Sequence, residues 1–147
     1  STYGSFDVVF CAGVFYHIEN PRQFMNLLFK NCKKLLFLET HFSTWVRNET
    51  HNLSDLAEHE GYWGRWATEF GSEQDYHNRE IFRWASWDNI KSFWLKKEYI
   101  LQAMTDAGFD IVLEQFDHMM PNIADSMENG FYKIHDRGVF VGIKNNV

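Results

Sequence analysis

The segment from residue 6 to residue 40 limits what this chain can fold into more than any other part of it. Phe6-Asp7-Val8-Val9-Phe10-Cys11 is a short β-rich run of the kind shown by a strand buried on both sheet faces, and Leu35-Leu36-Phe37-Leu38 is a second. Between them Asn20-Pro21 gives an N-cap followed by proline at the first helical position, and Phe24, Leu27, Leu28 and Cys32 form one apolar stripe. The spacing predicts a helix over residues 21–33. Strand, helix, strand is a βαβ unit, and its two strands run parallel because the helix supplies the crossover.

Farther on, Ile100, Ala103, Met104 and Ala107 fall at helical spacing, with Gly108 placed to end that helix in a left-handed conformation. Strands are expected over residues 109–116 and 138–143, the latter preceded by a turn at Gly130. The result is an open, helix-covered α/β sheet.

Between residues 42 and 93 the chain changes character. All six tryptophans (Trp45, Trp63, Trp66, Trp84, Trp87 and Trp94) lie in or at the border of this stretch. A segment this long inside a domain reads as an inserted lid, a binding element or a small subdomain. A short helix is expected over residues 53–60, stopped by Gly61. Trp63, Trp66 and Phe70 fit one helical face, either as the insertion's own core or with one ring stacking on substrate.

The 147 residues suit a single domain. No apolar run approaches the roughly 20 residues of a helical membrane span, and the first residues lack a signal-peptide pattern. Cys11 and Cys32 make no disulfide framework and read as small buried apolar residues in a reducing cytoplasm. The histidines are scattered, without the short ligand spacing of a structural zinc site. The net charge is −6, and residues 42–95 hold five basic against nine acidic residues, a net of −4. An acidic insertion repels phosphate, which ranks a small-molecule or protein substrate above a nucleic acid.

The run from Phe6 to Pro21 resembles the fourth-strand region of class I S-adenosylmethionine-dependent methyltransferases, where a Phe-Asp-Val-Val strand leads to a Gly-Val-Leu-Tyr-His-like turn and a proline-started helix. Leu36-Phe37-Leu38-Glu39-Thr40 is similar to the strand that follows in that family. Ala107-Gly108-Phe109 and Arg137-Gly138-Val139-Phe140-Val141 resemble its later junction and last strand. Gly13 to His17 together with Arg137 look most like the tRNA wobble-uridine carboxymethyltransferases. The fold implied is the C-terminal part of a Rossmann-like methyltransferase sheet, strands four to seven, carrying the aromatic-rich insertion. The last strand would run antiparallel and lie beside the strand over 109–116. No GxGxG run is present, so the resemblance implies a fragment beginning at strand four. The missing N-terminal half of the domain would hold most of the S-adenosyl-L-methionine.

In such sheets ligands bind beyond the carboxyl ends of the strands. Cys11, Ala12 and Gly13 stand at such an end, and Gly13 either lets backbone approach the cofactor or only makes the turn. Tyr16 could offer its hydroxyl to cofactor or substrate. His17 could act as a base, or it could pack and cap. Glu39 and His41 end the next strand on the same rim, Glu39 as a catalytic or substrate-binding carboxylate or as an anchor for loop amides. Arg137 could pair with a carboxylate through its planar fork or be an ordinary edge charge. The expected activity is methyl transfer to an unidentified acceptor. The alternatives are carboxymethyl transfer to tRNA and a non-catalytic α/β binding domain.

Overall fold

The computed structural model describes residues 4–82, 85–115 and 135–145. Strand β1 (Phe6–Ala12) leads through one 3-10 turn at Phe15–His17 into helix α1 (Pro21–Asn31), and the chain returns as β2 (Cys32–His41). The two strands pair in parallel, Val8 opposite Leu35 and Cys11 opposite Leu38. The helix stops two residues earlier than its apolar stripe suggests. Asn31 caps its last turn by donating to the Leu27 carbonyl, and Cys32 is already extended (φ −98°, ψ 129°). Cys32 therefore belongs to the strand.

Helix α3 (Lys97–Ala107) ends where Gly108 adopts φ 113°, a conformation that a side chain would strain. Strand β6 (Ile111–Gln115) follows, and β7 (Arg137–Ile143) closes the sheet. The strand order is β1-β2-β7-β6, with β7 antiparallel to both β2 and β6. The last strand thus runs antiparallel and lies beside β6 as expected, and its other neighbour is β2. Phe116, Trp84 and the turn at Gly130 lie outside the described residues.

The two long helices pack together on one face of this sheet. Leu36, Leu38 and Phe140 point into that layer and are fully buried among Met25, Ile100 and Met104. Cys11 and Cys32 are free thiols buried there too, and burial pushes the Cys11 thiol up to about 11. The opposite face is also apolar but open at β1, where Phe6, Val8 and Phe10 are 51%, 53% and 73% exposed. Across the strands the Phe10 row continues through Phe37, Val141 and Leu113.

The insertion departs from the sequence expectation. Residues 53–59 form a strand, β3 (Leu53–His59), paired antiparallel with β4 (Tyr62–Thr68), which pairs in turn with β5 (Lys91–Leu95). Gly61 stops no helix. Glu60 and Gly61 both have positive φ, 53° and 85°, and together make the two-residue turn that matches the twist of a hairpin. Leu53, Leu56 and Ala57 mimic helical spacing by coincidence, and the hairpin prevails because β4 supplies a partner and is itself paired to β5. Trp63, Trp66 and Phe70 consequently share no helical face. In a strand, positions three apart point to opposite sides. A short helix, α2 (Glu73–His77), capped by the Ser72 side chain, lies between β4 and β5 in the sequence.

One face of this small sheet joins the main core through Tyr62, Phe93 and Leu95, and the other carries Leu53, Ala67 and Trp94. Arg65, 4% exposed, fastens the connecting loop by donating to the carbonyls of Thr44, Trp45 and Ser54.

The two faces of β1 and β2 should respond differently to truncation. Leu38→Ala should cost about 2–5 kcal/mol in urea unfolding, and Phe10→Ser, on the open face, should stay within roughly 0.5 kcal/mol.

Candidate functional site

β1, β2 and β6 end at one edge of the main sheet, where the antiparallel β7 begins, so Gly13, His41 and Arg137 meet there. Gly13 has φ 68°, and a Cβ built on it would meet no heavy atom within 4 Å. Its backbone, rather than space around it, demands glycine, and the open side faces a cavity.

Glu39 is the knot of this edge. Its carboxylate accepts the Gly13 N–H at 3.0 Å and pairs with the Arg137 guanidinium through Nε and through Nη2, the latter at 2.9 Å. One side chain thereby ties the end of β2 to the loop after β1 and to the first residue of β7. This is the anchoring role that the sequence left open for Glu39, and it also engages the Arg137 fork.

The cavity, about 720 Å³, lies between this edge and the small sheet. Gly13, Tyr16, His17, His41 and Arg137 form one wall, while Leu53, Ala67, Thr68, Glu69 and Trp94 form the other. Thr50, His51 and Asn52 of the loop held by Arg65 close a third side. The volume is that of a cofactor-sized or substrate-sized pocket.

Tyr16 sits among rings, 4.2 Å from His17, 4.7 Å from His41 and 5.6 Å from Trp94 between centroids. Burial raises its phenol, against the lowering effect of nearby Arg137, so it remains a donor at neutral pH. His41 stacks on Trp94, and its Nδ1 lies 2.8 Å from the His135 carbonyl. A carbonyl only accepts, so Nδ1 carries the proton. Burial holds the ring below the usual histidine value, which keeps it neutral.

His17 has a different partner. Its Nδ1 lies 2.9 and 3.1 Å from the two oxygens of Glu69, which also accepts the Ser92 hydroxyl at 2.5 Å and the Ser86 N–H at 2.9 Å. Burial raises the Glu69 carboxyl, but the bonds from His17, Ser92 and Ser86 outweigh it and hold the group below its ordinary value. Among the described residues no group of three His, Cys, Asp or Glu side chains is placed to hold a metal.

Of the residues singled out in the sequence, Gly13, Tyr16, His17, His41 and Arg137 line the cavity, and Glu39 braces it from behind. Cys11 points into the helix-covered core, while Ala12 is exposed and outside the lining. Trp63 and Trp66 are not among the lining residues either. Trp66 packs on His59 and Phe93, and Trp63 is partly exposed. Sequence reasoning missed Glu69, His51 and Trp94. Reading residues 62–69 with a period of two would have found Glu69, which follows Ala67 just past the end of β4 and lines the cavity with it.

No protein-family model matches the chain, and no curated protein does. Solved structures do. The N-terminal domain of EvdMO1 with SAH bound matches with a TM-score of 0.63 and 20% identity, over 98% of this chain and 48% of that one. The same domain in the presence of SAH and D-fucose gives 0.63 and 20%, over 98% and 49%. A Haemonchus contortus phospholethanolamine N-methyltransferase 2, in complex with phosphomonomethylethanolamine and S-adenosylhomocysteine, gives 0.43 and 11%, over 96% and 34%, too loose a likeness to argue from. The chain thus shares its fold with the EvdMO1 domain and spans about half of that domain's length.

Two outcomes follow from the geometry. Arg137→Met leaves the buried Glu39 carboxylate without its cation and should destabilise the chain by on the order of 3 kcal/mol in chemical denaturation. Glu69, whose folded-state value is depressed, stabilises the fold fully above the usual carboxylate range, and this contribution disappears as pH falls through the lower folded value. Glu69→Gln should therefore flatten the acid limb of a melting-temperature profile relative to wild type.

Proposed function

We propose that the cavity is the cofactor-and-acceptor end of an S-adenosylmethionine-dependent methyltransferase, and that this chain contributes the second half of that domain. The observation that carries the reading is the strand order β1-β2-β7-β6, with one antiparallel strand inserted and a cavity at the carboxyl edge. The same fold in the EvdMO1 domain was crystallised with SAH, the product left when S-adenosylmethionine gives up its methyl group.

The residues present suit that cofactor. Gly13 offers bare backbone at the strand end, and Tyr16 offers a protonated phenol. When bound, the cofactor supplies an electrophilic methyl group on a sulfonium. The protein's part in such a transfer is chiefly to hold donor and acceptor in line. The small sheet closes over the cavity and, on this reading, shapes the acceptor pocket.

The open apolar face of β1, with Phe6, Val8 and Phe10 exposed, supports the half-domain part of the proposal. A strand of this kind is normally paired and covered on both sides. The N-terminal half of the same domain is the partner that fits.

Carboxymethyl transfer to tRNA is the weaker reading. A carboxylated cofactor would need a guanidinium fork, and the Arg137 fork is bonded to Glu39. The acidic insertion also opposes phosphate. A small-molecule or protein acceptor fits better.

Calorimetric titration with S-adenosylhomocysteine checks the proposal. The 147-residue chain should bind weakly or not at all, and a version extended upstream should bind, with Gly13→Val lowering its affinity at least about tenfold because a branched side chain strains the turn. Binding by neither version would favour a non-enzymatic role. Tight binding by the short chain would refute the half-domain reading.

A further inference from the structure

The charges and hydrogen bonds of the cavity carry the methyltransferase reading one step further. Among the described residues only two charged side chains line it, Glu69 and Arg137, and both are committed, Glu69 to His17 and Arg137 to Glu39. Among the described residues, an acceptor carrying a carboxylate or phosphate finds no uncommitted cation in the lining, and an ammonium finds no uncommitted anion. Around the opening stand Thr50, Asn52 and Thr68, exposed neutral groups that can donate to and accept from hydroxyls.

The Glu69–His17 pair meets a need specific to a hydroxyl acceptor. Glu69 accepts only, so His17 carries its proton on Nδ1, and its neutral form presents the lone pair of Nε2. That atom has no partner among the described residues, and His17 lines the cavity. Glu69 is itself held by Ser92 and the Ser86 N–H, so its carboxylate cannot swing away. A carboxylate acceptor needs no base to be methylated, and a neutral amine attacks through its own lone pair. An alcohol or phenol has to lose its proton as it attacks, and an imidazole nitrogen with a free lone pair set beside it is the group that takes it.

We infer that Glu69 is a positioning residue that fixes His17 as the general base for methyl transfer to a hydroxyl oxygen, so that the acceptor is a neutral alcohol or phenol. This rests on the methyltransferase reading above. In the step, an oxygen lone pair forms the bond to the methyl carbon, and the carbon–sulfur pair stays on sulfur. The hydroxyl proton passes to His17 Nε2, and the imidazolium is stabilised by Glu69.

The test uses the full-length protein and three readouts. Titration with S-adenosylhomocysteine comes first. Absence of binding to wild type would defeat the methyltransferase reading itself, whereas equal binding by wild type and Glu69→Gln leaves that reading standing and isolates the dyad. Second, two-bond proton–nitrogen spectra should show His17 as the Nδ1–H tautomer in wild type. They should show a shift toward Nε2–H in Glu69→Gln, whose amide can donate where the carboxylate could not. An unchanged tautomer would overturn the positioning role.

Third, tritiated S-adenosylmethionine is incubated with the low-molecular-weight fraction of a cell extract, and the labelled product is sorted by chemistry. Label that survives mild alkali, is not retained on cation exchange and is released as methyl iodide by hot hydriodic acid is a methyl ether, the expected result, whereas label that hydriodic acid does not release is a C-methyl group and would overturn the inference. Base-labile ester, cation-retained amine, or no label despite cofactor binding would each overturn the inference. For the ether-forming reaction Glu69→Gln should lower kcat by on the order of 100-fold with the KM for S-adenosylmethionine unchanged. Glu69→Asp should restore part of the rate. His17→Ala, which leaves the Ser86 and Ser92 bonds to Glu69 in place, should lower kcat as far, and full activity in that variant would contradict the role of His17 as base.

Discussion

The Glu39 carboxylate holds three pieces of backbone in register at one edge of the sheet. It stands two residues before the end of β2, receives the Gly13 N–H from the loop after β1, and pairs with Arg137 where β7 starts. Each of those strands could fray independently at its end. Joined through one buried anion, they form a rim rigid enough to carry Tyr16, His17 and His41 at fixed distances. The geometry also explains why the buried charge is tolerated, since a bidentate guanidinium and a backbone donor satisfy both oxygens.

The second sheet is built onto that rim. Ser43 bridges to Lys96, and its hydroxyl donates to the Trp94 carbonyl, so β2 and β5 are stitched together where the insertion leaves the main sheet. The Asn89 side chain donates to the His17 carbonyl, and Phe93 N–H donates to the Ile18 carbonyl. The insertion is thereby fastened on both sides of the turn that carries His17. The cavity is the space left between two sheets joined at their edges, and its walls come from segments far apart in the sequence.

The sequence made the main sheet legible because each element carried its own signal: two apolar runs, a proline-started helix, and a glycine at the end of α3. Local chemistry and tertiary environment agree there. In the insertion they diverge. Leu53, Leu56 and Ala57 satisfy a helical period as well as a strand, and only the pairing with β4 decides between them. The same misreading concealed Glu69, whose importance comes from His17, 52 positions away in the chain. Gly13, Tyr16, His17 and His41 were found because they stand at strand ends, where fold alone predicts a ligand edge. Trp63 and Trp66 were singled out for a helical spacing that the strand does not share, and neither lines the cavity.

Amide chemical-shift mapping of the full-length protein on addition of S-adenosylhomocysteine tests the central claim most directly. The account predicts that the largest shifts fall at Gly13, Tyr16, His17, His41 and Arg137, with smaller ones at the end of β4, at Thr68 and at Glu69 just beyond it. Shifts confined to the exposed β1 residues Phe6, Val8 and Phe10, or spread evenly over the sheet with none at Gly13, would contradict it.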